Sequence, residues 1–191
     1  MALYLVVLLL PEPVHSQVWA LKQQVHQRTG SRNAVRLPPH ITLVPPTRQP
    51  PAFAEQAAAV LQRFAAGQAP CPLQLHDFAW FGTRTLYVRV VPGPVQQLHN
   101  ALAAQLMQEL LAVPAPTRPF VPHVTLATRD LPAEQVPALR QEFARLSLRA
   151  ACTLSRLVLY RHNGQQWQAL HQYELGLGRL PAASEPSAAD E

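Results

Sequence analysis

The pentapeptide Pro39-His40-Ile41-Thr42-Leu43 returns 83 positions later (123 − 40) as Pro122-His123-Val124-Thr125-Leu126. A recurrence this short decides little in a chain rich in Ala, Pro, Leu and Arg. The surrounding order decides more. Upstream of the first copy, Val14, Val18, Leu21 and Val25 fall at helical spacing, and Gly30 stops the run. Downstream, a Pro-rich turn at 45–51 leads into an Ala-rich helix over 52–66 closed by Gly67. Strands at 73–80 and 85–91 then flank the turn FGTR. The second half repeats this order with a helix from 95 to about 111, the His123 strand, a helix from about 133 to 146, and two strands around RHNGQQ. Cys71 and Cys152, 81 apart (152 − 71), each begin the strand after the second helix of their half. The pattern predicts one domain over 1–180, an internal duplication with pseudo-repeats at about 3–92 and 93–177, and an α+β architecture with a sheet lobe from each half.

At 191 residues with 48% apolar side chains the chain has enough material for one sizeable core. Met1 to Leu10 is apolar, yet it lacks a basic flank and a small-residue cleavage site and meets Pro11. It is too short to span a bilayer and reads as a buried strand, so a cytoplasmic location without a membrane partner is expected. Two distant cysteines suit reduced thiols better than a disulfide framework or a local zinc cluster. The formal charge is +5, and the segment 181–191, expected to be a disordered acidic tail, holds Glu185, Asp190 and Glu191 without a base. The body therefore carries 16 basic against 8 acidic residues, fifteen of the bases being Arg and one Lys22. That balance fits an anionic partner recognised by forked guanidinium groups, or simply a GC-rich genome.

The chemistry lies in the repeated motif. In a strand His40 and Thr42 share one face while Ile41 and Leu43 share the other, and the second copy does the same. A proline before each histidine fits a strand entrance or an edge. Were the halves related by an approximate twofold axis, two imidazoles and two hydroxyls would line one cleft. Histidine serves as base or acid near neutrality, so a pair can deprotonate water and protonate a leaving oxygen in an in-line displacement at phosphorus. Thr42 and Thr125 would donate to non-bridging phosphoryl oxygens. No metal and no cofactor is called for, since no Asp, Glu or Cys cluster flanks either motif. The other six histidines, at 15, 26, 76, 99, 162 and 171, lack a threonine two positions on and are read as surface or core.

PPHITLVPP, RPFVPHVTLATR and, less specifically, FGTRTLYVRV resemble the two-histidine (2H) phosphoesterase superfamily, and within it the bacterial RNA 2′,3′-cyclic phosphodiesterase branch, also called 2′-5′ RNA ligases. The resemblance covers residues 3 to about 177. It implies a bilobed α+β fold, with pseudo-twofold lobes of antiparallel-rich sheet, outer helices and a central cleft. It also implies cofactor-free hydrolysis of 2′,3′-cyclic phosphate ends of RNA or nucleotides to 2′-phosphates, in a monomer. By the same resemblance His40 is the acid toward the departing 3′ oxygen, His123 the base on water, and Thr42 and Thr125 the phosphate donors. The near symmetry of the halves leaves the swapped assignment open.

Arg129 follows the second motif, displaced by Thr128 from the position where many branch members carry Arg, and is a candidate phosphate contact. Phe81, Trp80 and Tyr160 stand near hairpin ends, where an aromatic stacks a base or else packs the core. Three alternatives remain: a small substrate such as a cyclic phosphate of ADP-ribose, joining of 2′-5′ ends in reverse, and an RNA-end binding module without turnover. A metal-dependent hydrolase is a fourth, and only that one should die in chelator.

Overall fold

The computed structural model describes residues 1–109 and 118–179. The expected tail at 181–191 and the end of the helix expected to reach 111 lie outside the described residues. Strands β1 (Ala2–Leu9), β2 (His40–Gln49), β7 (Arg156–His162), β8 (Trp167–Glu174) and β9 (Gly178–Arg179) form one sheet, in the order β2-β1-β7-β8-β9. Strands β3 (Cys71–Phe81), β4 (Thr85–Val90), β5 (His123–Ala127) and β6 (Arg149–Leu154) form the other, in the order β5-β4-β3-β6. Every neighbouring pair is antiparallel. Helices α1 (Val14–Thr29), α2 (Phe53–Ala66), α3 (Pro94–Glu109) and α4 (Val136–Phe143) pack on them, and none of the described helices is long and apolar enough to cross a membrane.

The two sheets share one arrangement, with the motif strand at an edge and the strand preceding the connecting helix beside it. The expectation of one lobe per half is corrected, because each sheet draws strands from both halves. The chain lays down β1 and β2, crosses by α2, builds the whole second sheet, and returns for β7 to β9. The return happens at Ser155. What reads in sequence as a single strand after the last helix is two, β6 and β7, with burial alternating in the first and nearly continuous in the second. A nearly continuous apolar run marks a strand covered on both faces. One large apolar cluster draws on both sheets and all four helices, and a smaller one, Leu5, Val7, Leu37, Val158 and Tyr160, covers the opposite face of the first sheet.

Local chemistry explains most boundaries. Gly30 closes α1 in the left-handed region (φ 74°), its N–H donating to the His26 carbonyl. The Pro-rich turn expected at 45–51 is mostly strand: β2 runs through Pro45 and Pro46 to Gln49. Prolines are tolerated there because β2 is an edge strand whose outer side needs no donor, and register irregularities between Tyr4 and Val7 of β1 absorb the misfit. The helix expected at 133–146 is a short 3-10 turn at Ala133–Gln135 followed by α4, which ends at Phe143. On α1 the buried stripe is Val14, Val18, Lys22 and Val25, so the chain's single lysine stands where Leu21 was expected.

Candidate active site

Both motifs alternate as strands must. Ile41 and Leu43 are buried at 0% and 3% exposure, Val124 and Leu126 at 0% and 1%, while His40, Thr42, His123 and Thr125 are half-buried on the other face. Strands β2 and β5, at the edges of different sheets, lie in contact with each other. A charge on His123 reaches His40 and opposes its protonation.

The two rings are held alike. His40 Nδ1 lies 2.7 Å from the Pro38 carbonyl, and His123 Nδ1 lies 2.7 Å from the Val121 carbonyl. A carbonyl only accepts, so each bond requires the proton on Nδ1 and leaves Nε2 as the free nitrogen. Each carbonyl belongs to the residue two before the histidine, and the intervening residue is the motif proline. Proline at that position fixes the bend that brings the carbonyl back beneath the ring.

Electrostatics make both imidazoles poor cations in the free protein. Burial, then the charge of Lys22, then that of His123 push His40 down to about 3, against the opposing bond to Pro38. Burial also lowers His123, partly offset by its bond to Val121. Lys22, 1% exposed, donates from Nζ to the Leu37 carbonyl at 2.9 Å and to the Pro38 carbonyl at 3.4 Å, and sits 5.7 Å from the Trp19 ring centre. Burial pushes it down to about 7.

The surroundings of the two histidines differ. Residues paired directly across antiparallel strands point to the same face. Arg89 is opposite His123 and Tyr87 opposite Thr125, whereas Leu9 is opposite His40 and Val7 opposite Thr42. The row through His40 and Leu9 continues on β7 at Arg156, exposed on that same face, and on β8 at Glu174. Of the expected contacts, Phe81 is the one drawn to a histidine: its ring stacks on Tyr87 at 4.1 Å and meets His123 edge-on at 4.8 Å. Tyr160 is 8% exposed, packed in the smaller cluster with Leu5 and Val158. Trp80 lies under the Arg140 guanidinium, 4.6 Å from its ring centre. Arg129 is exposed, with φ at 40°, a left-handed conformation that costs an L residue strain.

Asp130 beside it ties the motifs together. Its carboxylate accepts from Ser31 Oγ at 2.8 Å and from the backbone N–H groups of Arg32 and Asn33 at 2.7 and 3.0 Å. The segment leading into β2 is thereby fastened to the segment leaving β5. Against the raising effect of burial, the bonds from Arg32, Ser31 and Asn33 hold this carboxyl below its ordinary value. Sequence reading missed Asp130, Arg89, Tyr87, Arg156 and Lys22. Only Lys22 carried a signal, a lone lysine on an apolar helical stripe. Among the described residues no three His, Cys, Asp or Glu side chains gather as metal ligands would.

The sequence profile of the 2′-5′ RNA ligase superfamily matches residues 10–166. The chain belongs to that superfamily, the 2H phosphoesterases. A protein of Geobacillus kaustophilus named as a candidate phosphoesterase is 28% identical over 144 residues, covering 73% of this chain and 80% of its own. TT0787 of Thermus thermophilus shares the fold at a TM-score of 0.69 and 20% identity, over 91% of this chain and 98% of its own. E. coli LigT, solved with 3′-AMP, shares it at 0.58 and 20% identity over the same fractions. Membership makes the chain a phosphoesterase in class, and the superfamily fold is α+β with two antiparallel sheets.

Proposed function

We propose that the chain hydrolyses 2′,3′-cyclic phosphates on RNA ends or nucleotides to 2′-phosphates, with His40 and His123 as the acid–base pair and no cofactor. One observation carries the reading: the matched tethers of Nδ1 to Pro38 and Val121, which leave two Nε2 atoms available on facing strands. His123 Nε2 takes a proton from water as the water oxygen bonds to phosphorus. The P–O3′ bond breaks, and His40, protonated at Nε2, gives that proton to the departing oxygen. Thr42 and Thr125, one residue beyond the core-facing position of each strand, donate to the non-bridging oxygens as charge develops.

A neutral His40 in the free protein must gain its proton before it acts as an acid. The phosphate supplies the reason, since a negative charge beside Nε2 favours the imidazolium. The swapped assignment, His40 as base and His123 as acid, is the second reading, and the deeper depression of His40 favours it. Phe81, at 36% exposure and edge-on to His123, offers its free face to the base of the substrate. LigT solved with 3′-AMP, ATP or NADP+ supports a nucleotide as the substrate class.

Purified protein incubated with 2′,3′-cyclic AMP in EDTA should release the 2′-phosphate. A 3′-phosphate product would reverse the bond that breaks. Binding without turnover would leave an RNA-end binding module instead, and turnover lost to EDTA would leave a metal-dependent hydrolase.

A further inference from the structure

Lys22 is a buried cation whose nearest polar neighbours are two backbone carbonyls. Among the described residues no carboxylate contacts it or His40. A desolvated ammonium without a counter-ion is costly to keep, and replacing one with an apolar side chain of similar size is commonly neutral or stabilising. Packing alone gives no reason for it here. Its location does: one of its carbonyls, that of Pro38, is the acceptor that orients His40. The other belongs to Leu37, anchored in the small apolar cluster on the cleft side of the first sheet. The second motif lacks this arrangement. Among the described residues the Val121 carbonyl has no side-chain donor besides His123, and on α3 the buried His99 lies stacked on Phe120 at 3.8 Å.

We infer that Lys22 is the positioning residue of His40: it holds the Leu37–Pro38 strap under the imidazole and supplies the positive charge behind it. The inference rests on the acid–base reading of the cleft and adds to it the device that makes two near-symmetric histidines unequal. A cation behind His40 opposes its protonation and attracts an anion on the far side of the ring. Other titratable or charged groups near the pair are His123 on β5, Arg36 on the 3-10 turn at Ala34–Arg36, Glu12 and His15 at the start of α1 and Arg156 on β7, which line cavities with Pro38, and Glu174 on β8 opposite Arg156; Glu142 of α4 is engaged by Gln24 and Arg28 of α1. With Lys22 pushed down to about 7, its charge is in place through the acid range where histidines titrate.

Lys22→Met keeps the length of the side chain and removes charge and donors. It should fold at least as well as the parent, lower kcat about tenfold through lost alignment of His40, and leave KM little changed. It should also raise the pKa of His40 and so move one limb of the pH–rate profile upward by about half a unit or more. Movement of the acid limb makes His40 the base, and movement of the alkaline limb makes it the acid; both support the role. Parental kcat and an unmoved profile would overturn it, and so would a lower Tm with no change of profile. His40→Ala separates this inference from the one beneath it: if that variant still turns over, the acid–base reading fails, whereas a dead His40→Ala beside a wild-type-like Lys22→Met fails Lys22 alone.

A measurement on the unaltered chain needs no turnover. Because Lys22 is the one lysine, 13C-lysine labelling yields a single side-chain signal. It should titrate far below the ordinary lysine value, and inorganic phosphate should move its midpoint upward. An ordinary midpoint, or one that phosphate does not move, would overturn the proposal even if Lys22→Met failed to fold.

Discussion

In the proposed reaction His40 and His123 divide one task between them, so either alone would be nearly useless. His40→Ala and His123→Ala should each lower hydrolysis of a cyclic phosphate at least about a hundredfold with the fold intact, each having removed one proton transfer. Circular dichroism checks the fold and product assay the rate. The pH dependence has a definite sign. Whichever histidine is the base must be neutral, and both are lowered from 6.5, so the acid limb of kcat/KM lies below pH 6.5. A profile flat from pH 5 to 9 contradicts paired histidines. The same depression links His40 to stability: the folded chain prefers the neutral ring, and that preference is lost progressively as pH falls from 6.5 toward about 3.

Strands β2 and β5, which carry the proposed acid–base pair, are edge strands in contact with each other. Their motif prolines cost the sheets nothing at those places, and the carbonyls those prolines turn back hold the rings. The Asp130 carboxylate, bound to Ser31, Arg32 and Asn33, fastens the approach to β2 onto the exit from β5. Asp130→Ala should lower Tm by about 5 °C, roughly the loss of one charge-assisted cluster in a chain of this size. It should lower kcat as well, because the distance between the imidazoles is no longer fixed. Asp130→Asn retains an acceptor without the charge and should fall between. A thermal scan with activity unchanged from the parent would show that the clasp does not position the site.

In the whole molecule the halves are interleaved. Across the halves β1 pairs with β7, β3 with β6 and β4 with β5, so neither half owns a complete sheet. Fragments 1–92 and 93–191 expressed separately should therefore lack native near-ultraviolet dichroism, each leaving strand edges and apolar faces without partners. Independent folding of either fragment would show that the repeat is modular. Interleaving also suits the cleft: the polypeptide passes between the sheets by α2 and again at Ser155, tying the two walls together at more than the Asp130 contact.

Period-two alternation and the repeated Pro-His-x-Thr-Leu single out the candidate histidines and threonines and disclose the core residues between them and the helices on either side. Those are properties of neighbours in the chain, and sequence displays neighbours. Partnership across the fold is another matter. That Pro45 and Pro46 lie on an edge strand, that the segment after α4 breaks at Ser155 to change sheets, that Phe81 reaches His123 while Tyr160 is buried in the cluster with Leu37: each follows from which strands pair and which faces are left uncovered. Lys22 shows the division most sharply. Its helical stripe was legible, but the carbonyl it shares with His40 belongs to a segment fifteen or more residues away, and only packing brings the two groups to the same oxygen.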